Sequence, residues 1–227
     1  MAALIDRKRL AQRRESREGR REKLLEVARE VVLEVPYGRL TLDVIGQRAG
    51  LRQGAAAIFY PSREALALEV LELELTDWYQ GLEERLAEGE DRGLDTEAVA
   101  DLLTGSLASR RALARLLGLL PTIAEQDAGP LALYRLESFR HRWMLRLGEA
   151  LERRCPQLPG GAGAVLLRRL QLVVAALHAA SNPATMTSVA LDAPELELLR
   201  ADPGEELICL TRLLVEGAAG LRGGASA

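Results

Sequence analysis

Residues 41–63, TLDVIGQRAGLRQGAAAIFYPSR, limit the fold more than any other part of this 227-residue chain. Two short segments with apolar residues flank Gly50, and Pro61 ends the second. Gly46 is small enough to let a second helix approach closely, and Gly50 tolerates the positive φ of a sharp turn. The segment therefore predicts a helix-turn-helix, with an ordinary helical hairpin as the alternative. The residues expected to face inward at its corner are Ile45, Ala49, Leu51 and Ala56.

Helix-forming residues dominate the rest of the chain, and no stretch alternates in the way a half-buried strand does. Aromatic residues make up only 4 % of the sequence, while 48 % is hydrophobic and 28 % is charged, which excludes a disordered chain. Breaks at proline, glycine and aspartate clusters divide it into helical stretches. We predict an all-α fold of about nine helices, near residues 17–35, 42–49, 52–59, 63–87, 95–108, 110–126, 130–154, 163–181 and 203–218.

The positive charge is concentrated at the start of the chain, although the net charge of the whole is −3. Residues 1–25 carry nine Arg or Lys against four Asp or Glu. A basic end on an acidic body suits a polyanion bound at that end only, and a solvated tail is the alternative. We expect a basic flexible arm over residues 1–16, which offers Arg7, Arg9, Arg13 and Arg14 to a DNA backbone or minor groove.

Cysteine and histidine are too few and too scattered for a disulfide framework, a metal site or a cofactor site. The two cysteines, Cys155 and Cys209, form no CxxC motif. The two histidines, His141 and His178, belong to no HExxH or Glu-x-x-His pattern and adjoin no nucleophile elbow. We therefore expect neither an enzyme nor a bound metal or cofactor. No apolar run is long enough to cross a membrane, which predicts a cytoplasmic location with no membrane partner.

The run TLDVIGQRAGLRQGAAAIFYPSREAL resembles the N-terminal signature of the TetR family of bacterial transcriptional regulators. The resemblance is strongest over residues 20 to 70 and extends to PSREAL, which opens the next long helix. It implies a DNA-binding domain at residues 17–62 and a helical ligand-binding and dimerisation domain at residues 63–227. The family commonly has a hydroxyl residue at Arg52, Thr at Ala55 and Tyr at Ala57, so several usual DNA contacts are missing here.

The remaining candidates for DNA contact are sorted by their chemistry. Arg52 and Gln53 are expected at the start of the second helix, where Arg reads guanine and Gln reads adenine in the major groove. Backbone contacts are expected from Thr41, Tyr60 and Arg63, which would set the register on the DNA. Gly54 completes this set. Ala55 and Ala57 offer only methyl groups.

The C-terminal body is expected to bind a small apolar or amphipathic effector and to dimerise. The resemblance implies a homodimer through the helices near 163–181 and 203–218, with two reading heads on a palindromic operator. Each residue proposed for the ligand pocket has core packing as its ordinary alternative. These candidates are Trp78, Phe139, Trp143, Met144, His178 and Met186.

These predictions together indicate a ligand-responsive repressor that binds double-stranded operator DNA and releases it when the effector binds. The alternative is a dimeric sensor or interaction module whose reading helix has degenerated and holds DNA only weakly and without sequence preference. The three successive alanines favour that alternative, while the intact turn favours the first.

Overall fold

The computed structural model describes residues 2–88, 93–126, 128–182, 185–200 and 202–220, and only the backbone of residues 2–16, 185 and 186. Within these ranges the chain forms helices and no strand, as the sequence predicts. Three short 3-10 helices cover Tyr37–Arg39, Ala55–Ile58 and Pro194–Leu199. The α-helices are α1 (Ala2–Glu34), α2 (Leu42–Arg48), α3 (Arg63–Ala87), α4 (Thr96–Leu107), α5 (Arg111–Glu125), α6 (Pro130–Arg154), α7 (Ala162–Ser181), α8 (Thr185–Leu191) and α9 (Pro203–Gly220).

The predicted arm is the main correction to these boundaries, because α1 already begins at Ala2. Residues 2–18 contain no glycine or proline and are rich in Ala, Leu, Arg and Glu, so nothing interrupts a helix there. A helical backbone thus replaces the flexible one expected for residues 1–16. The side chains of Arg7, Arg9, Arg13 and Arg14 lie outside the described residues.

The chain divides into two compact units, and the first comprises Met1–Val70 with Ile123–Gly129. Its core includes apolar residues of α1, since Leu24 and Val31 are fully buried. Ile45 of α2 and Leu66 of α3 are each 1 % exposed. The sequence placed the domain boundary at residue 62, whereas the first unit also includes the first two turns of α3.

The second unit comprises Leu71–Thr122 with Pro130–Ala227. In it α7 packs against α6 and α9, and α9 also packs against α4. The α6–α7 crossing is exceptionally close at Gly148 and Gly163, where a Cβ added to either glycine would overlap backbone atoms of the facing helix. This pair of glycines fixes how near the two longest helices of the unit can come.

The helix α7 is long and apolar enough to span a membrane by length and composition, with 33 % of its most apolar window buried. Core helices pass the same test, and α7 also carries Arg168 and Arg169. Its buried face holds Leu167 and Leu170, while Leu172 is 59 % exposed. It therefore has one apolar face covered within its own unit and a second one exposed.

Candidate nucleic-acid interface

The corner predicted around Gly50 is present in the first unit. Thr41 caps α2, since its Oγ1 accepts a hydrogen bond from Val44 N at 3.2 Å. Gly50 has φ of 74°, the left-handed conformation that the turn requires. A Cβ at Gly46 would lie 3.2 Å from Ala56 Cβ, so the glycine allows the next segment to lie directly against α2. These steric features confirm the predicted turn.

The second helix of the corner is shorter than predicted. It is a 3-10 helix over Ala55–Ile58, preceded by Gly54 in the left-handed conformation with φ of 75°. The Gly54 N–H donates to Asp43 Oδ1 at 2.9 Å, which ties the turn to α2. Pro61 restricts the residue before it to extended conformations, so the room for an α-helix ends early. Arg52 and Gln53 therefore lie in the turn before the helix rather than in its first turn.

Residues 52–58, here called the reading segment, have one inward residue and an exposed outer surface. Ala56 is 1 % exposed and anchors the segment against α2. Arg52, Gln53, Gly54 and Ala57 are exposed. Ile58 is 67 % exposed, so its aliphatic side chain lies on the outer surface of the segment. Sequence reasoning missed Ile58 because the adjacent alanines give no periodic signal that separates an inward face from an outward one.

Tyr60, predicted to contact phosphate, belongs to the core. It is 3 % exposed, and the Arg21 guanidinium lies 5.4 Å from its ring centroid. Burial raises the pKa of the Tyr60 hydroxyl, with Glu69 contributing in the same direction. The phenol is thus enclosed by α1 and α3, and we correct its assignment from DNA contact to packing.

Arg63, also predicted to contact phosphate, is engaged within the first unit. Its Nε donates to Glu64 Oε1 at 2.6 Å, and its Nη1 donates to the carbonyls of Tyr37 and Leu40 at 3.1 and 2.9 Å. Its Nη2 donates to Gln126 Oε1 at 2.9 Å, and the guanidinium lies 4.7 Å from the Tyr37 ring centroid. A phosphate contact would have to break these bonds, so Arg63 is corrected to a structural residue.

The comparisons with known proteins bear on the second unit. A family model described as the C-terminal domain of tetracyclin repressor-like proteins matches residues 72–220. The chain belongs to the TetR family. A search of curated proteins gave no significant match. The match covers the second unit, whereas the signature described in the sequence analysis lies in the first, so two separate parts of the chain point to the TetR family.

In this TetR-family chain, the structure brings three of the predicted ligand residues into one aromatic cluster. Tyr79 is its centre, with ring centroids 5.0 Å from Trp78, 6.1 Å from Phe139 and 5.5 Å from Trp143. Trp78 and Tyr79 are fully buried, while Phe139 and Trp143 are half-buried. Met144 is 9 % exposed on the same helix as Phe139 and Trp143. The sequence analysis missed Tyr79, although its position next to Trp78 was a usable signal.

A buried amide connects this cluster to a charged side chain. Gln171 is 2 % exposed, donates to the Tyr79 hydroxyl at 3.0 Å and accepts from Arg140 Nη2 at 2.8 Å. Burial raises the pKa of Tyr79 to about 12, so the phenol remains a neutral hydrogen-bonding group. The aromatic cluster therefore has a polar side as well as an apolar one.

A cleft of about 340 Å³ opens next to the indole of Trp78, whose Nε1 donates to Ser106 Oγ at 2.9 Å. Its lining is mostly polar and includes Arg85 and Arg110. Of the predicted ligand residues, Trp78 lines this cleft and the other described ones do not. The side chain of Met186 lies outside the described residues.

His178 lies near Arg111 and Arg115 of α5. Burial lowers the pKa of the imidazole below 6.5, and the charges of the two arginines lower it further. His178 therefore takes up a proton more readily in the unfolded chain than in the folded one. The folded state is favoured by the neutral imidazole above pH 6.5, and this contribution to the free energy of unfolding is lost as the pH falls.

Replacing His178 with glutamine should reduce the loss of thermal stability between about pH 7 and pH 5, because the imidazole no longer titrates. Melting temperatures of the wild-type protein and the variant across this range measure the effect. Arg111→Ala, which removes one of the positive neighbours, should reduce the loss partially. An unchanged pH dependence in His178→Gln would contradict the assignment.

Both cysteines are free thiols in this TetR-family chain. Cys155 is buried and Cys209 is exposed on α9. Within the described residues, no group of three His, Cys, Asp or Glu side chains is arranged to hold a metal ion.

Proposed function

We propose that this protein is a cytoplasmic transcriptional regulator that binds double-stranded operator DNA through its reading segment. It releases this DNA when a small-molecule effector binds to it. The observation that carries the proposal is the packing of Ala56 into the space left by Gly46, which turns the exposed residues 52–54 outward. Arg52 and Gln53 are the side chains there that can form paired hydrogen bonds with guanine and adenine. Membership of the TetR family supports the same function.

The first test is selection of duplexes from a random pool by the full-length protein, followed by titration of the enriched and scrambled duplexes. Arg52→Ala and Gln53→Ala should each weaken binding to the enriched duplex by about 1–3 kcal/mol, because each removes a base contact. Matched controls are Arg135→Ala and Gln80→Ala, which change exposed residues of the second unit. These controls should leave the affinity unchanged.

Salt dependence separates this function from its alternative. If enriched and scrambled duplexes bind equally, with affinity falling steeply as salt increases, the protein holds the DNA backbone without reading sequence. The short 3-10 helix and the alanines favour this alternative, a dimeric sensor with a degenerate reading segment. If no duplex binds, both versions of the function are overturned.

A homodimer through α7 and α9 is part of the proposal. On α7 the exposed residues Val165 and Leu172 are seven positions apart, which places them on one face. Leu213 of α9 is 59 % exposed. A two-fold dimer would present two reading segments to half-sites about 34–36 Å apart.

Replacing Leu172 or Leu213 with glutamate should shift the protein from dimer to monomer, because a charge would be buried in an apolar interface. Analytical ultracentrifugation at several concentrations measures the shift. Leu131→Glu, at a 62 % exposed site on α6, is the control and should remain dimeric. A monomeric wild-type protein, or dimeric variants, would exclude this interface.

The effector is proposed to bind at the aromatic cluster, where an apolar or amphipathic molecule would find aromatic rings beside Gln171 and Arg140. Such a molecule releases DNA only if it binds better to a conformation with low operator affinity. Apolar and amphipathic compounds that raise the melting temperature should also release the enriched duplex, and Phe139→Ala should weaken both effects. Compounds that stabilise the protein without releasing DNA would exclude control by this site.

A further inference from the structure

The exposed part of the reading segment combines the hydrogen-bonding side chains of Arg52 and Gln53 with the apolar ones of Ala57 and Ile58. Ala57 is exposed and Ile58 is 67 % exposed, four and five positions after Gln53 in the same segment. Removing the apolar surface of an isoleucine side chain from water lowers the free energy of the system. The segment is therefore built to meet an apolar group close to polar ones.

Charge indicates which partner supplies that group. Between Asp43 and Glu64 the chain has no acidic residue. Of the three arginines in this stretch, Arg48 pairs with Glu34 and Arg63 with Glu64, so Arg52 supplies the positive charge of the reading segment. Asp43 Oδ1 accepts the Gly54 N–H at 2.9 Å and keeps its negative charge. The reading segment itself has one positive and no negative side chain, and this balance suits a polyanion. Among polyanions, duplex DNA presents an apolar group in its major groove, the C5 methyl of thymine.

We infer that Ile58, with Ala57 beside it, reads thymine by contact with its C5 methyl group, and that this apolar contact supplies part of the sequence specificity. The inference rests on the proposed DNA-binding function and adds the base that these residues select. Arg52 and Gln53 would read neighbouring base pairs by hydrogen bonds. Ile58 lies between Phe59 and the buried Ala56, and Ala56 O accepts hydrogen bonds from Phe59 N and Tyr60 N at 3.0 and 3.1 Å, which limits the movement of Ile58.

The test replaces thymine by deoxyuridine, one position at a time, in a duplex enriched from a random pool by the full-length protein. Deoxyuridine keeps the base pair and every hydrogen-bonding group and removes only the methyl. At one or more positions the replacement should weaken wild-type binding about fourfold, the value expected for one buried methyl-sized group. Ile58→Ala should bind the thymine duplex more weakly and show no further loss at that same position, which is the coupling a direct contact predicts.

Three controls identify the contact. Ile58→Val, which is one methylene smaller, should retain an intermediate sensitivity to deoxyuridine. Arg52→Ala should bind more weakly but keep the full sensitivity, because it leaves Ile58 in place. Leu131→Ala, at a site of similar exposure in the second unit, should match the wild-type protein in both measurements.

The outcomes separate this inference from the function on which it rests. If the pool enriches a sequence but deoxyuridine has no effect, or has an equal effect on wild type and Ile58→Ala, the methyl contact is overturned and DNA reading stands. If the pool enriches no sequence, specific DNA reading is overturned and the inference falls with it. Ile58 would then be available to a protein partner instead of DNA.

Discussion

Replacing Gly148 with valine should destabilise the protein by about 3 kcal/mol or more, because overpacking against backbone cannot be relieved by a rotamer change. An added Cβ would overlap the backbone nitrogen of Ala164 and the carbonyl carbon of Gly163 on α7. The helices α6 and α7 would have to move apart where Gly148 and Gly163 now bring their backbones together. For a chain of this size the expected drop in melting temperature is roughly 6–12 °C. Urea denaturation followed by circular dichroism measures the free energy directly.

Gly105→Ala is the matched control for this prediction. Gly105 is also within a helix of the second unit, but its added Cβ would meet only the flexible guanidinium of Arg85, at 3.7 Å. Alanine there should stabilise α4 by about 0.5–1 kcal/mol, since alanine is the better helix former. Equal effects of the two substitutions would show that the α6–α7 crossing is looser than described.

Replacing Arg63 with alanine should destabilise the first unit by about 3 kcal/mol, because removing one partner of a mostly buried pair leaves the other uncompensated. Glu64 is 5 % exposed and would lose its ion pair. The carbonyls of Tyr37 and Leu40 would lose a donor at the same time. Thermal and urea unfolding of the variant provide the measurement.

The pH dependence of this effect has a defined sign. Burial alone would raise the pKa of Glu64, but hydrogen bonds from Arg63, its own backbone and Tyr37 bring it below its ordinary value of 4.5. In Arg63→Ala the burial acts with less opposition, so the carboxylate becomes costly to keep charged. The carboxylate of Glu64 is protonated as the pH falls below about 4.5 and through its folded pKa. The difference in the free energy of unfolding between wild type and variant should therefore shrink over this range.

Arg48→Ala is the control in the same unit. Arg48 pairs with Glu34, but both side chains are about half exposed, at 46 % and 57 %. Exposed pairs contribute about 0–1 kcal/mol, so this variant should melt close to the wild-type temperature. A loss as large as that of Arg63→Ala would mean that burial is not the cause of the Arg63 effect.

The sequence was sufficient for the turn and for most of the helices, though not for α8, because their signals are local. Pro36 and Gly38 end α1 near the predicted residue, and Gly50 has the positive φ that the turn requires. Ser62 stands directly before the predicted start of α3, and its Oγ accepts from Ala65 N at 3.0 Å. Each of these features depends on a residue type and its immediate neighbours.

The reading segment and the role of Arg63 could not be predicted in this way. Alanine is the best helix former, so residues 55–57 suggested an α-helix, and only Gly54 and Pro61 together shorten it to a 3-10 helix. Arg63 looked like a phosphate contact, but Gln126, which accepts from it, is 63 positions away in the sequence. Long-range partners of this kind leave no local pattern. The contact of DNA with residues 52–58 stays a prediction.

The buried methyl of Ala56 and the Gly54 N–H bond to Asp43 secure the reading segment to α2, while Ala57 and Ile58 are exposed. Changes at those two positions alter what the segment presents to a partner and leave the packing against Gly46 as it is. If the segment reads DNA as proposed, the choice of operator and the stability of the fold therefore depend on different residues.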